Sequence, residues 1–217
     1  MLPTQRTKVS RAPQRASYDD ELVDRILDEA YLCHLAFIHR GYPVITPTLF
    51  ARVDDHLYVH GSAASRTLRA LGSRIECCLN VTHLDGLVLA RSAVHHSANY
   101  RSVTVFGRGK LIAAAEDKLR ALRALTEKIV PGRWDDVRPP TEEELRATSV
   151  LRLPLSEASA KVRSGPPQDD EADLKLRVWA GVIPLRVSAA HPRPDQYVEA
   201  GMPPPGASTI ASHLGGR

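Results

Sequence analysis

The sequence predicts a mainly β fold with flanking helices, built as a closed or nearly closed antiparallel barrel. Three observations carry this. Six short β-prone runs follow one another between residues 33 and 112: "CHLAFIHR", "YPVITPTLFARV", "HLYVHG", "RIECCLNVTH", "LVLARSAV" and "YRSVTVFGRGKLI". Turn signals separate them, at Arg40-Gly41, Asp54-Asp55, Gly72-Ser73 and Asp85-Gly86. The helical segment among them is short and falls between the third and fourth runs, so no long helix alternates with strands as a doubly wound sheet requires.

The elements follow in order. The first fifteen residues carry Arg6, Lys8, Arg11 and Arg15 with no acidic residue, which reads as a solvated basic arm. "DDELVDRILDEAYLCHLAF" then places Leu22, Ile26 and Ala30 at helical spacing behind Asp19 and Asp20, the acids of an N-terminal turn. Asp54-Asp55, flanked by two β-prone runs, reads as a hairpin loop. After the six runs, "AEDKLRALRALTEKIV" is the clearest helix, with Leu119, Leu122, Ala124, Leu125 and Ile129 along one side. Thr141 and Glu144 have capping-box spacing for another short helix. "VLRLPLSEASAKVR" reads as a returning strand, "VWAGVIPLRVSAA" as the last one, and the Pro/Gly-rich stretch from His191 as a flexible tail.

Composition narrows the function. With 217 residues, 43% hydrophobic and 25% charged, the chain is an ordinary globular protein, and no apolar run approaches the ~20 residues that span a bilayer. The N-terminus lacks the apolar core of a secretory signal, so the expected location is the cytoplasm. Cys33, Cys77 and Cys78 form no C-x-x-C pair and read as small buried residues. A net charge of +4 raises nucleic acid as a partner, but 5% aromatics supply few stacking platforms and the excess sits in the arm. Nucleic-acid and membrane partners are therefore not expected.

Chemistry-bearing motifs are few. His95-His96 is a tandem whose side chains would point to opposite faces of a strand, and no H-E-x-x-H or zinc-finger spacing occurs, so no metal site is assigned. G-x-S-x-G, G-x-x-x-x-G-K and G-x-G-x-x-G are all absent. "LYVHGSAASRTLRAL" is more informative. Ser62 and Ser65 at the mouth of a helix could cap its first turn, or could join Arg66 and the free N–H groups in an anion site. Thr46 and Thr48 share a strand face on either side of Pro47, a residue that belongs at a sheet edge or bulge. Ser102 and Thr104 face opposite Val103 and Val105.

Together "PVITPTLFARVDDHLYVHGSAASRTLRAL", "VTHLDGLVLARSAVHHSANYRSVTVFGRG", "ASAKVRSGPP" and "VWAGVIPL" resemble the FMN-binding split-barrel proteins. Within that group they resemble the pyridoxamine 5′-phosphate oxidase-like branch that includes the nitroimidazole-resistance flavoproteins. The resemblance implies a six-stranded antiparallel split β-barrel over residues 19–190, between an arm at 1–18 and a tail at 191–217. It implies a homodimer with FMN held between protomers. The FMN phosphate falls at Ser65 and Arg66, with His60, Gly61 and Ser62 on the approach. Thr46, Pro47 and Thr48 would meet the flavin ring edge, and Tyr100, Arg101 and Ser102 match the segment on its other side. Arg101 could stabilise reduced flavin or could simply pair with a carboxylate. Lys161 and Arg163 fall in the branch's late basic motif. The end "GMPPPGASTIASHLGGR" does not align with the substrate-binding end of true pyridoxamine phosphate oxidases, so oxidation of pyridoxine phosphate is not expected.

The activity implied is an FMN-dependent oxidoreductase that reduces a small-molecule acceptor with electrons from a nicotinamide donor. His95 or His96 is the candidate proton donor near neutral pH. The alternative is a non-catalytic flavin-binding or sensor protein, which needs the same contacts.

Overall fold

A computed structural model of the chain describes residues 1–199 and 201–206. Its secondary structure is mainly antiparallel β-sheet with a few flanking helices, the class the sequence predicts. Among the described residues no helix is long and apolar enough to cross a membrane. The chain forms two compact units, one of Met1–Ala30, Leu79–Phe106 and Ser156–Arg186, the other of Tyr31–Cys78, Gly107–Leu155 and the described residues from Val187 onward.

In the first unit, β1 (Ala16–Ser17) pairs with β9 (Ala158–Arg163), and β9 pairs with β6 (Ser97–Arg108). Next to β6 runs β5 (Glu76–Leu89), whose far half carries β10 (Gly181–Pro184). Helix α1 (Asp20–Glu29) is started by Asp19, whose side chain accepts from the Leu22 N–H, and it buries Val23, Ile26 and Leu27. Alternation along β6 buries Val103 and Val105 completely and leaves Ser102 and Thr104 half-buried. Within residues 1–18, Thr7 is buried, and Thr4 and Arg6 both bond the Glu157 carboxylate.

In the second unit the order is β2 (Leu32–His39), β3 (Tyr42–Val53), β4 (His56–Ser62), β8 (Thr148–Pro154) and β7 (Lys110–Leu111). Helix α2 (Arg66–Gly72) follows β4, and α3 (Ala115–Ile129), α4 (Arg133–Asp136) and α5 (Glu142–Ala147) fill the connection from β7 to β8. The capping box at Thr141 and Glu144 is present on α5. Phe50 anchors the core at 1% exposure, and the Lys128 ammonium lies 3.8 Å from its ring centroid. Cys33 and Cys77 are buried and Cys78 half-buried.

Three details correct the sequence reading. Ten strands are assigned among the described residues, not six, because short edge strands β1, β7 and β10 join the sheet, "VLRLPLSEASAKVR" breaks into β8 and β9, and the fourth and fifth predicted runs merge into β5. Asp85-Gly86 is not a turn: β5 runs straight through it. A Cβ at Gly86 would lie 3.1 Å from the Ile183 carbonyl oxygen, so the glycine serves the close approach of β10. Ile129 is 43% exposed, since α3 ends there and the chain turns away. The tail expected from residue 191 is described at 191–199 and 201–206 without helix or strand, and the rest of that expectation lies outside the described residues.

Candidate functional site

The second unit carries the turn between β4 and α2. Gly61 lets the chain pack onto Leu68: a Cβ there would lie 3.1 Å from Leu68 Cδ1. The Ala63 N–H donates to the Ala147 carbonyl at 2.8 Å, and Ser62 Oγ accepts from the Ala64 N–H at 3.1 Å. Ser65 is the N-cap of α2, its Oγ accepting from the Leu68 N–H at 3.4 Å. Capping therefore uses one lone pair of Ser65 and leaves the hydroxyl proton available. Arg66 is exposed.

On the facing strand, Thr46 Oγ1 lies 3.5 Å from Thr67 Oγ1, which sets the even-numbered face of β3 against α2. Thr48 Oγ1 donates to the Leu49 carbonyl at 3.3 Å. Pro47 sits opposite His34 of β2, in the half of β3 that precedes its pairing with β4 at Phe50. A proline without an N–H suits that unpaired side. The exposed His60 ring ends the run, and partial desolvation by its neighbours holds its pKa below the ordinary histidine value.

Between the β2–β3 turn and α2 lies an open cleft of about 770 Å³, lined by His39, Arg40, Tyr42, Val44, Arg66, Arg69 and Ala70. His39 pairs with Tyr42 across the two-residue turn Arg40-Gly41, whose φ values of 51° and 82° are those of a left-handed hairpin turn. The sequence reading used Arg40-Gly41 as a turn and Arg66 as an anion ligand. It did not join them, because 26 residues separate them and no local pattern records the meeting.

In the first unit, Tyr100, Arg101 and Ser102 lie on β6 opposite Arg163, Val162 and Lys161 of β9. The Arg101 guanidinium donates to both oxygens of Asp85 at 3.0 Å and also to Glu29. Hydrogen bonding to Asp85, outweighing the cost of burial, raises its pKa further. Ser102 Oγ donates to the Lys161 carbonyl at 3.3 Å, and Lys161 Nζ to the Arg11 carbonyl at 3.2 Å. Arg163 is 8% exposed and donates to Asn99, Gly165 and Pro166 oxygens rather than to a carboxylate. Burial and the nearby Arg15 charge lower its pKa.

The histidine tandem lies on no strand, so the alternation expected of it does not apply; it falls at a 3-10 turn and its C-cap. His95 closes a 3-10 turn at Ala93–His95, half-buried, with ligating atoms of His95, Asp170 and Asp173 within 4.8 Å of one another. His96 is exposed, and its Nδ1 lies 3.0 Å from the Ser92 carbonyl oxygen.

The described residues form a mainly antiparallel β-fold protein with an open basic cleft beside a Ser-Arg turn. The chain belongs to the pyridoxamine 5′-phosphate oxidase family, whose model matches residues 19–162. Its fold is similar to that of the flavocytochrome Anf3 from Azotobacter vinelandii, with 44% identity over 94% of each chain and a TM-score of 0.88. It is similar also to the FAD and heme binding protein from Mycobacterium smegmatis, at 38% identity, 91% of this chain, 97% of that one and a TM-score of 0.87. A protein assigned to 5-nitroimidazole antibiotic resistance in Bacteroides thetaiotaomicron shares the fold, at 20% identity, 68% and 86% coverage and a TM-score of 0.58. No curated protein matches the chain at the level of sequence.

Proposed function

We propose that this protein is a flavin-binding oxidoreductase that also carries haem. The observation that carries the reading is the 44% identity to a flavocytochrome over 94% of both chains. Flavin supplies two-electron redox chemistry and haem one-electron chemistry, and the chain supplies binding, position and electrostatics. Here Arg66 and the Ser65 hydroxyl hold the flavin phosphate, and Thr46, Pro47 and Thr48 meet the ring edge. The unpaired side of β3 supports that role for the backbone at Pro47. A nicotinamide donor and a small-molecule acceptor complete the reaction.

Among the described residues, His96 would be the one to hold a haem iron. The His96 Nδ1–H is fixed on the Ser92 carbonyl at 3.0 Å, which selects the tautomer whose Nε2 lone pair faces outward, the arrangement that orients metal-ligating histidines. Val94, 84% exposed two residues earlier, offers an apolar contact for the macrocycle edge. Holding a flavin between two copies makes the protein a homodimer, so light scattering should give twice the 23.8 kDa chain mass.

The test is the absorption spectrum of the purified protein, before and after anaerobic NADH or NADPH. Flavin bands together with a Soret band, both changing on reduction, support the reading. His96→Ala should lose the Soret band and keep the flavin. A preparation that takes up neither cofactor on reconstitution refutes the function. Loss of haem from His60→Ala but not from His96→Ala refutes the ligand assignment.

A further inference from the structure

We infer that His95, Asp170 and Asp173 form a site for a divalent transition-metal ion of the zinc class, which staples the segment leading into β10 onto the turn that precedes β6. The inference stands apart from the flavin and haem readings and needs neither.

Local geometry brings the three side chains together. The His95 N–H donates to the Ser92 carbonyl at 3.3 Å and closes the 3-10 turn Ala93–His95. The Asp173 N–H donates to the Asp170 carbonyl at 2.9 Å, opening a second 3-10 turn over Glu171–Lys175. Side chains three apart in a 3-10 turn eclipse one another, so Asp170 and Asp173 share one side of it. Both turns belong to the first compact unit, and Asp169 ties them to each other. Its carboxylate, 2% exposed, accepts from the Arg91 N–H and from Arg91 Nη1, both at 2.8 Å. That anchor lies next to Asp170 on one segment and shortly before His95 on the other, so the two halves of the site are held in place by the protein itself.

The unmet valences point to an ion. One ligating atom from each of His95, Asp170 and Asp173 lies within 4.8 Å of the other two. No ion pair joins the imidazole to either carboxylate, and the Asp170 side chain caps nothing at the turn it begins. His95 Nδ1 is buried without a hydrogen-bond partner among the described residues, as are Ser92 Oγ and Arg91 Nε in the same short segment. Buried polar atoms are nearly always satisfied, so orphans gathered at one turn mark a place where an ion and its bound water complete the hydrogen bonding. Two carboxylates held side by side repel, and a dication between them removes that cost.

The imidazole decides the class of ion. Calcium and magnesium take oxygen ligands, whereas one imidazole nitrogen with two carboxylates suits a first-row transition metal. Zinc bonds of ~2.0–2.2 Å require the donors to draw closer together, a movement open to Asp170, which is exposed, while His95 and Asp173 are half-buried. No metal motif marks the site in the sequence, because its ligands come from two distant segments.

The test is isothermal titration calorimetry of the tag-free full-length protein, freed of metal with EDTA and returned to chelator-free buffer, with zinc chloride and separately with magnesium chloride. Wild type should bind one zinc ion per chain with a Kd of ~10 μM or tighter, and magnesium about a hundredfold or more weakly. Asp170→Asn combined with Asp173→Asn leaves every histidine in place and should lose about tenfold or more in zinc affinity, as should His95→Gln. Thermal unfolding gives a second reading. Saturating zinc should raise the melting temperature of wild type by about 2 °C or more and leave the double variant unmoved. In EDTA the double variant should melt at or above wild type, because its like charges have gone. Absence of zinc binding at ~100 μM overturns the inference. Zinc binding that neither variant weakens also overturns it, since the nine histidines then supply a different site. Equal affinity for zinc and magnesium overturns the class of ion, and a double variant that melts below wild type in EDTA shows that the carboxylates serve the fold instead.

Discussion

Replacing Arg66 by alanine separates a phosphate ligand from a surface cation, because only the ligand role predicts lost FMN affinity in a free protein that keeps its stability. In the free protein Arg66 is exposed, unpaired among the described residues, and shares a cleft with Arg40 and Arg69. Its removal relieves like-charge repulsion, which at about 4 Å in water is only ~1 kcal/mol and less at physiological salt. Stability without ligand should therefore rise slightly or stay within about 0.5 kcal/mol of wild type. In the complex the same guanidinium makes a charge-assisted contact worth about 1.5–3 kcal/mol, so FMN affinity should fall roughly ten- to more than a hundredfold. Riboflavin lacks the phosphate, and its affinity should hardly change. The quantity to measure is the FMN-to-riboflavin ratio by fluorescence titration, with thermal unfolding of the free protein alongside. Equal losses for the two flavins, or no loss for either, would refute the assignment, and a destabilised free protein would show that Arg66 has a structural partner.

Three further outcomes follow from the same geometry. Glu144 is held down to about 2 by Arg138 and the Thr141 N–H. A depressed carboxyl stabilises above its unfolded value and loses that contribution as pH falls through the folded one, so wild type should exceed Glu144→Gln in stability at neutral pH, with the gap closing toward pH 2 in acid unfolding curves. Burial pushes the Cys33 thiol up to about 12 and raises Cys78, so native protein should resist alkylation at neutral pH while unfolded protein takes three labels by mass spectrometry. Deleting residues 1–15 removes the Thr4 and Arg6 bonds to Glu157 and the Tyr18 hydroxyl's partners, so the melting temperature should fall while flavin affinity holds; loss of flavin from folded protein would contradict this.

What the sequence discloses here is what a few neighbouring residues decide. Asp19 before an apolar periodicity, Thr141 three residues before Glu144, and Arg40-Gly41 between two β-prone runs each form an element whose hydrogen bonds close within a turn. The threonines of β3 are legible for the same reason, since alternation fixes their face. Asp85-Gly86 misleads because its glycine answers to β10, about a hundred residues on, rather than to a local turn. Arg101 shows the same limit: its partner Glu29 is 72 residues away, and nothing near either residue announces the pair.

The cleft arginines show how a site can be half legible. Arg66 can be read from the sequence because it follows a small-residue turn that leads from a strand into a helix. Arg40 is visible only as half of a hairpin signal, and its charge acquires meaning when β3 carries the turn across to α2. A cation that caps nothing and pairs with nothing is silent in a one-dimensional reading, since exposed arginines are common. In three dimensions its silence is informative: the chain pairs Arg91, Arg101, Arg108, Arg120 and Arg138 with carboxylates, yet brings three guanidiniums to one concavity without a single acid. Such a cluster raises the energy of the empty protein through like-charge repulsion, and an anion bound among the three guanidiniums would relieve it.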